Sequence, residues 1–182
     1  MNFTPLEIEG VYLVTPRVWK DDRGFFFESW HEEKFRDAGI DARFVQDNYS
    51  RSSRGTLRGL HYQIRHTQGK LVRVMAGEVF DVVVDIRKGS RTFGRWEGVT
   101  LSAGNQNALW IPPGLAHGFY VMSDSADFFY KCTDVYSPEY ERVLLWNDPE
   151  IDVAWPLLDG GPPVLSPKDA AGIPFSDAEL FP

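Results

Sequence analysis

The stretch "KLVRVMAGEVFDVVVDIRKGS", residues 70–90, decides the fold class of this chain. Val, Phe and Ile dominate it, and Ala76-Gly77 interrupts it near the middle. Runs of β-branched and aromatic residues bounded by turn residues are typical of β-strands. The stretch therefore predicts two strands joined at Ala76-Gly77.

The sequence on both sides repeats this pattern. On the N-terminal side, "GVYLVTPRVW" (10–19), "FFFESW" (25–30) and "ARFVQDNYS" (42–50) predict strands, with a turn at "KDDRG" (20–24). On the C-terminal side, residues 95–137 predict four or five more strands, separated by turn signals at 103–105, 112–114 and 123–125. Short strands with regularly spaced turns indicate an all-β sandwich or barrel.

Two regions interrupt the β pattern. "SWHEEKFRDAG" predicts one short helix over 30–38, because Ser29 and Glu32 form a capping-box pattern and Gly39 is a typical stop signal. The residues after 147 are rich in Pro, Gly and Asp. We expect them to wrap irregularly around the β-core, with a helical turn at Asp177–Leu180.

Composition sets the class of protein. A chain of 182 residues with 43 % hydrophobic residues is long enough for one well-packed domain, and without a visible linker we expect a single domain over 1–182. The net charge of −7 argues against nucleic-acid or anionic-membrane partners. Cys132 is the only cysteine, which excludes an intrachain disulfide. With no signal-like N-terminus, a cytoplasmic location is expected.

The stretch "TLRGLHYQI", residues 56–64, places charge inside an apolar strand. Arg58 and His61 are three residues apart, so strict alternation would send them to opposite faces of the sheet. Gly59 lies between them, and glycine within a strand often marks a bulge. We therefore predict a local irregularity at Gly59 that turns both side chains toward one cavity.

Further polar side chains accompany this strand. Lys70 opens the strand that begins at residue 70, Tyr130 lies in "DFFYKCTDVY", and Asp169 lies in "SPKDAAG". Charged side chains rarely point inward unless they are paired or face a cavity. An imidazole, an ammonium and a phenol together suit proton abstraction beside a carbonyl: a base removes a C–H proton, a cation stabilises the enolate oxygen, and an acid returns a proton.

A metal site is the main alternative for the histidines. Common metal motifs use a His-x-His pair with a later carboxylate and a later histidine. Residues 61–63 read His-Tyr-Gln, and His117 would add only one more nitrogen, with no carboxylate at a useful spacing. Such a set is too small for a structural or catalytic site, so no metal is expected. The phosphate-binding, dinucleotide-binding and serine-hydrolase motifs are also absent from the sequence, and no cofactor is expected.

Six motifs, which follow one another over nearly the whole chain, carry a resemblance to a known family. They are "DDRGFFFESW", "FVQDNYSRSSRGTLRGLHYQ", "QGKLVRVMAGEVFDVVVDIRKGS", "FGRWEGVTLSAGNQNALWIPPGLAHGF", "YKCTDVYSPEYER" and "LSPKDAAG". The chain resembles the dTDP-4-dehydrorhamnose 3,5-epimerases of the RmlC-like cupin family. This resemblance implies a double-stranded β-helix, or jelly roll, with a few short helices. It also implies a homodimer that exchanges N-terminal strands and acts on a dTDP-sugar without a cofactor.

The resemblance also implies roles for individual residues. His61 looks like the base and Asp169 like its partner, whereas Tyr130 looks like the opposed acid and Lys70 like the cation that stabilises the enolate. The remaining matches would bind the substrate: Gln46, Asn48, Arg58, His117, Tyr136, Glu141 and Lys168 from the same chain, and Arg23, Phe26 and Glu28 from the partner subunit.

The implied reaction converts dTDP-4-dehydro-6-deoxy-D-glucose to dTDP-4-dehydro-L-rhamnose, on the route to dTDP-L-rhamnose. Three alternatives stay open at this point. The first is an epimerase that inverts only C3 or only C5. The second is a metal-dependent cupin enzyme, and the third is a sugar-nucleotide binder without activity.

Overall fold

The fold is an antiparallel β-sandwich. The structure is a computed structural model that describes residues 1–158 and 160–182. Its strands are β1 (Asn2–Pro5), β2 (Tyr12–Thr15), β3 (Val18–Asp21), β4 (Gly24–Phe27), β5 (Gln46–Ser53), β6 (Leu57–Gln63), β7 (Lys70–Ala76), β8 (Glu78–Asp85), β9 (Trp96–Ser102), β10 (Ala108–Ile111), β11 (Leu115–Val121), β12 (Ser125–Cys132) and β13 (Glu141–Val143).

Two large sheets form the sandwich. One has six strands in the order β1-β2-β10-β7-β12-β5, and the other has five in the order β13-β6-β11-β8-β9. The main core lies between them and includes Val72 and Phe128 from the first sheet and Val83 and Phe119 from the second. The predicted all-β jelly roll, including the pair of strands joined at Ala76-Gly77, is confirmed.

The central strands β8 and β11 of the five-stranded sheet are buried on both faces. The outer face of this sheet packs against the C-terminal segment, where Val82, Val84 and Tyr120 share a second core with Trp155 and Phe175. A strand covered on both sides needs apolar residues at every position rather than at alternate ones. This explains the unbroken "VVV" run within β8.

The helices are shorter than the sequence predicts. Helix α1 spans Glu32–Asp37, and Gly39 ends it with a φ of +84°. The predicted capping box is wrong, because the N-cap is His31, in extended conformation and without a side-chain cap. Helix α2, Pro167–Ala170, was missed since four residues are too few to show helical periodicity. The C-terminal turn lies at Phe175–Asp177 rather than at Asp177–Leu180.

The N-terminal strands also depart from the prediction. The expected strand over 10–19 is broken into β2 and β3 around Pro16, which has no N–H to donate to a ladder. Strand β3 then pairs only with β4, and the two form a separate hairpin with its turn at the predicted "KDDRG". Strand β5 begins at Gln46, four residues later than expected. No helix in the described part of the chain is long and apolar enough to cross a membrane.

Candidate active site

A cavity of about 320 Å³ opens between the two sheets. Its walls contain most of the residues that the sequence singles out: Gln46, Asn48, Arg58, His61, Lys70, His117, Tyr130, Tyr136, Glu141 and Lys168. Asp169 lies directly behind His61. The fold therefore brings together side chains that are spread over more than 120 positions of the sequence.

The irregularity predicted at Gly59 is present. His61 pairs with His117 while Arg58 pairs with Phe119, so three steps along β6 match two steps along β11. Gly59 has a φ of +139°, and a Cβ there would lie 2.5 Å from the Cα of Gly118. The peptide bond that follows it, Gly59–Leu60, is cis. With the register shift, Arg58 and His61 both line the cavity, which confirms the prediction.

His61 and Asp169 form a hydrogen-bonded pair on the five-stranded sheet. The His61 Nε2 atom lies 2.5 Å from Oδ1 of Asp169, whose other oxygen accepts a hydrogen bond of 2.6 Å from the Ser166 hydroxyl. Burial lowers the pKa of His61, and the carboxylate only partly offsets this. Burial acts to raise the pKa of Asp169, but the hydrogen bonds from His61 and Ser166 outweigh it and lower that pKa. The pair therefore rests as a neutral imidazole beside a carboxylate.

The opposite wall comes from the six-stranded sheet. Tyr130 on β12 pairs with Val72 of β7, and Lys70 pairs with Cys132, so both side chains project from neighbouring strands. Burial raises the pKa of Tyr130 to about 12, and the phenol keeps its proton at neutral pH. Burial also lowers the pKa of Lys70. An acid and a cation thus face the imidazole across the cavity.

The sequence reasoning missed Ser50 and Gln68 on the cavity wall and, behind His117, the buried Asp81. Its carboxylate is fully buried beneath His117, and both of its oxygens lie 3.0 Å from the His117 Nε2 atom. Burial raises the pKa of Asp81, and the imidazole opposes that change. The available signal was a lone aspartate within the apolar run of β8, because such groups are seldom buried unpaired.

The mouth of the cavity is lined by an ion pair. Lys168 donates to both carboxylate oxygens of Glu141 at 2.9 and 3.0 Å, and the Tyr136 hydroxyl donates to the same carboxylate at 2.9 Å. Gln46 accepts a hydrogen bond of 2.8 Å from the Tyr136 backbone N–H. On the wall, the exposed Arg58 donates from its Nε atom to the Ser52 hydroxyl at 2.9 Å. Cationic groups therefore stand at the rim and along the wall.

Three predicted binding residues lie outside this cavity. Arg23 and Phe26 belong to the β3–β4 hairpin, where the Arg23 side chain is 90 % exposed and Phe26 is 69 % exposed. Glu28 pairs with Lys34 of α1 at 2.6 Å. These residues do not reach the cavity of their own chain.

The cavity holds the parts of a proton-transfer site. A neutral imidazole oriented by a carboxylate can accept a proton, a phenol on the other wall can donate one, and an ammonium can stabilise negative charge between them. Among the described residues, no group of three or more His, Cys, Asp or Glu side chains is arranged to hold a metal ion.

The jelly roll and this two-walled cavity define a cupin-fold enzyme that works by proton transfer. A family profile described as dTDP-4-dehydrorhamnose 3,5-epimerase matches residues 5–177. The chain belongs to this family. It is 58 % identical to the dTDP-4-dehydrorhamnose 3,5-epimerase of Pseudomonas aeruginosa over 183 aligned positions, which cover 100 % of both chains.

Solved structures agree with this assignment. An epimerase of Legionella pneumophila in complex with dTDP-4-keto-L-rhamnose superposes with a TM-score of 0.94 and 52 % identity, covering 98 % of this chain and 94 % of that one. A 3'-monoepimerase of Streptomyces bikiniensis in complex with dTDP-quinovose gives a TM-score of 0.88 at 38 % identity, covering 94 % and 87 % of the two chains.

Proposed function

We propose that this protein inverts both C3 and C5 of dTDP-4-dehydro-6-deoxy-D-glucose and so forms dTDP-4-dehydro-L-rhamnose. The observation that carries this proposal is the placement of His61 and Tyr130 on opposite sheets of one cavity. Inversion of a stereocentre requires that the proton leaves one face of the carbon and returns to the other. A base and an acid on facing walls meet that requirement.

The roles of the residues follow from their protonation states before substrate binds. His61 is neutral and can remove a proton from the carbon beside the C4 ketone, while Asp169 stabilises the imidazolium that results. Lys70 stabilises the negative charge that develops on the C4 oxygen. Tyr130 keeps its proton until it delivers it to the opposite face. Because the ketone acidifies both neighbouring carbons, one base can serve C3 and C5 in turn, once His61 has passed its proton to water and Tyr130 has taken one up.

Substrate binding needs a local cationic surface in an acidic protein. Arg58 and Lys168 line the cavity, and we assign them to the anionic diphosphate together with Arg23. Gln46, Asn48 and His117 would hydrogen-bond the sugar and its linkage. Tyr136 and Glu141 at the mouth would contact the thymidine end.

We further propose a homodimer in which the β3–β4 hairpin of each chain enters the cavity of its partner. The hairpin pairs with neither large sheet, and isolated two-stranded hairpins are marginally stable in water. It also exposes aromatic side chains on both of its faces: Trp19 (46 %) and Phe26 (69 %) lie together on one face, and Phe25 (59 %) lies on the other. Exposed apolar surface of this kind marks an interface. The single domain over 1–182 and the cytoplasmic location remain predictions from the sequence.

An epimerase that acts at only one carbon is the second candidate. The likeness to the Streptomyces bikiniensis 3'-monoepimerase favours it, since that protein shares the fold at a TM-score of 0.88. The two candidates differ in which C–H bonds are broken.

Deuterium exchange tests the proposal. The purified protein is incubated with dTDP-4-dehydro-6-deoxy-D-glucose in D₂O, and NMR follows the sugar protons. We expect deuterium at both C3 and C5. Label at one position alone would support the single-carbon epimerase, and tight binding without exchange would support a simple binder. Elemental analysis of the same sample separates the metal-dependent alternative, which requires a stoichiometric metal needed for activity.

A further inference from the structure

Arg73 is a buried arginine on the outer face of the six-stranded sheet. Strand β7 sends Lys70 to the cavity and Val72 to the inner core, so Arg73 points to the other side. Only 5 % of Arg73 is exposed. Among the described residues, no carboxylate forms an ion pair with its guanidinium, and burial lowers its pKa to about 10. Such a charge is costly to bury and needs other partners.

Those partners are the end of β4, the segment that follows it, and the loop before β10. The Arg73 Nη2 atom donates to the Ser29 carbonyl at 3.3 Å, and Nη1 donates to the Gln106 carbonyl at 3.1 Å. The guanidinium also lies over the ring of Phe27, 4.7 Å from its centroid. Arginine stacks well on aromatic faces, and these contacts fix the chain where it leaves β4.

The contact with Phe27 continues into the hairpin. Phe25 stacks on Phe27 with ring centroids 6.0 Å apart and an interplanar angle of 13°. A column of Arg73, Phe27 and Phe25 therefore runs from the rigid sheet to the exposed strand. The column anchors the β3–β4 hairpin to the six-stranded sheet. The hydrogen bonds within the hairpin do not provide such an anchor.

We propose that Arg73 is a positioning residue for the active site of the second copy of this chain, because it aims the hairpin that carries Arg23, Phe26 and Glu28. This inference rests on the proposed exchange of hairpins between subunits. Arg73 does not line the cavity of its own chain. Its effect on catalysis therefore passes through the hairpin to the other subunit.

Kinetics of single variants give the first test. Arg73→Gln removes the guanidinium from the face of the Phe27 ring, and Phe27→Ala removes the aromatic partner without changing any residue of the six-stranded sheet. Since the hairpin supplies substrate-binding residues, we expect KM to rise by about 10-fold in each variant and kcat to change less. An unchanged KM in Arg73→Gln would overturn the inference.

Mixed dimers give the decisive test. A chain carrying His61→Ala and a chain carrying Arg73→Gln are co-expressed with different affinity tags, and the mixed dimer is purified through both tags. One of its two sites then combines an intact His61 with a hairpin held by an intact Arg73. We expect that site to have the wild-type KM and the dimer to show about half of the wild-type activity. A KM that stays elevated would mean that Arg73 acts within its own chain, and would overturn the inference.

A matched pair separates this inference from the exchange itself. Mixed dimers of Phe26→Ala with His61→Ala test only whether hairpins are exchanged. If they recover the wild-type KM while Arg73→Gln with His61→Ala does not, Arg73 has no role across the interface. If neither mixture recovers, the exchange fails and the inference with it. Should Arg73→Gln unfold in thermal denaturation, the mixture of Phe27→Ala with His61→Ala decides by the same criterion.

Discussion

The imidazole of His61 and the carboxylate of Asp169 are 108 residues apart in sequence and 2.5 Å apart in the folded chain. The carboxylate has two further partners, the Ser166 hydroxyl at 2.6 Å and the Gly59 backbone N–H at 3.4 Å. Its position is thus fixed from three directions. The basicity of His61 depends on this contact because burial alone works against a charged imidazole.

Asp169→Asn should slow exchange at C3 and C5 by about 10²- to 10⁴-fold, since the imidazolium loses its partner. It should also move the acidic limb of the pH profile of kcat/KM. A base is active when neutral, so activity falls as the pH drops through the pKa of His61. That limb lies below pH 6.5 in the wild type because burial lowers the pKa. Removing the carboxylate lowers the pKa of His61 further, so the acidic limb shifts to lower pH. A limb that moves upward would contradict the assignment of Asp169.

Tyr130→Phe should separate proton removal from product formation. His61 and Lys70 remain, so washout of the C3 and C5 protons into D₂O should fall by less than about 10-fold, whereas product should fall by about 10²-fold or more. Tyr49→Phe is the matched control, because Tyr49 pairs with Phe129 on the neighbouring strand and does not line the cavity. Equal losses of washout and product in Tyr130→Phe would count against the phenol as the returning acid.

Lys70→Met should lower activity without lowering the stability of the fold at neutral pH. Exchange should fall by about 10²- to 10³-fold because the enolate loses its cation. The thermal midpoint should not fall at neutral pH, since burial lowers the pKa of Lys70 and the charged form is disfavoured in the folded state. The unfolded chain binds this proton more tightly. Raising the pH toward about 10.4 should therefore stabilise the wild type relative to Lys70→Met in chemical denaturation. A relative loss of stability would show that the ammonium is well paired.

Gly59→Ala should destabilise the sandwich by about 1–3 kcal/mol, because alanine is strained at this positive φ and its methyl group would meet the backbone of Gly118. Gly89→Ala is the matched control, since a Cβ at that position meets no atom within 4 Å. Urea denaturation of both variants checks the difference. Equal midpoints would mean that β6 and β11 can separate without cost.

The sequence predicted the β architecture well because strand patterning is local. The two strands of residues 70–90 and the bulge at Gly59 each follow from a few neighbouring residues. The helix begins at Glu32 with His31 as its N-cap, and the Ser29 carbonyl accepts a hydrogen bond from Arg73 of a distant strand. Local rules for capping do not contain that contact.

The composition of the site was predictable in part. An imidazole within an apolar strand pointed to a cavity at His61, but its partnership with Asp169 came only from the family resemblance. No periodicity connects residues that far apart. Asp81 was missed because its role depends on its hydrogen bond with His117. The two residues come together only when β8 pairs with β11.

The C-terminal segment supplies the partner of the base from outside the two sheets. Val164 bonds to the backbone of Gly55 and Leu57, and α2 then carries Asp169 against β6. The proton-accepting pair is therefore divided between two layers of the protein: β6 supplies the imidazole, and α2, which belongs to neither sheet, supplies the carboxylate. Loosening this segment from β6 would take the carboxylate away from His61 and leave both sheets paired.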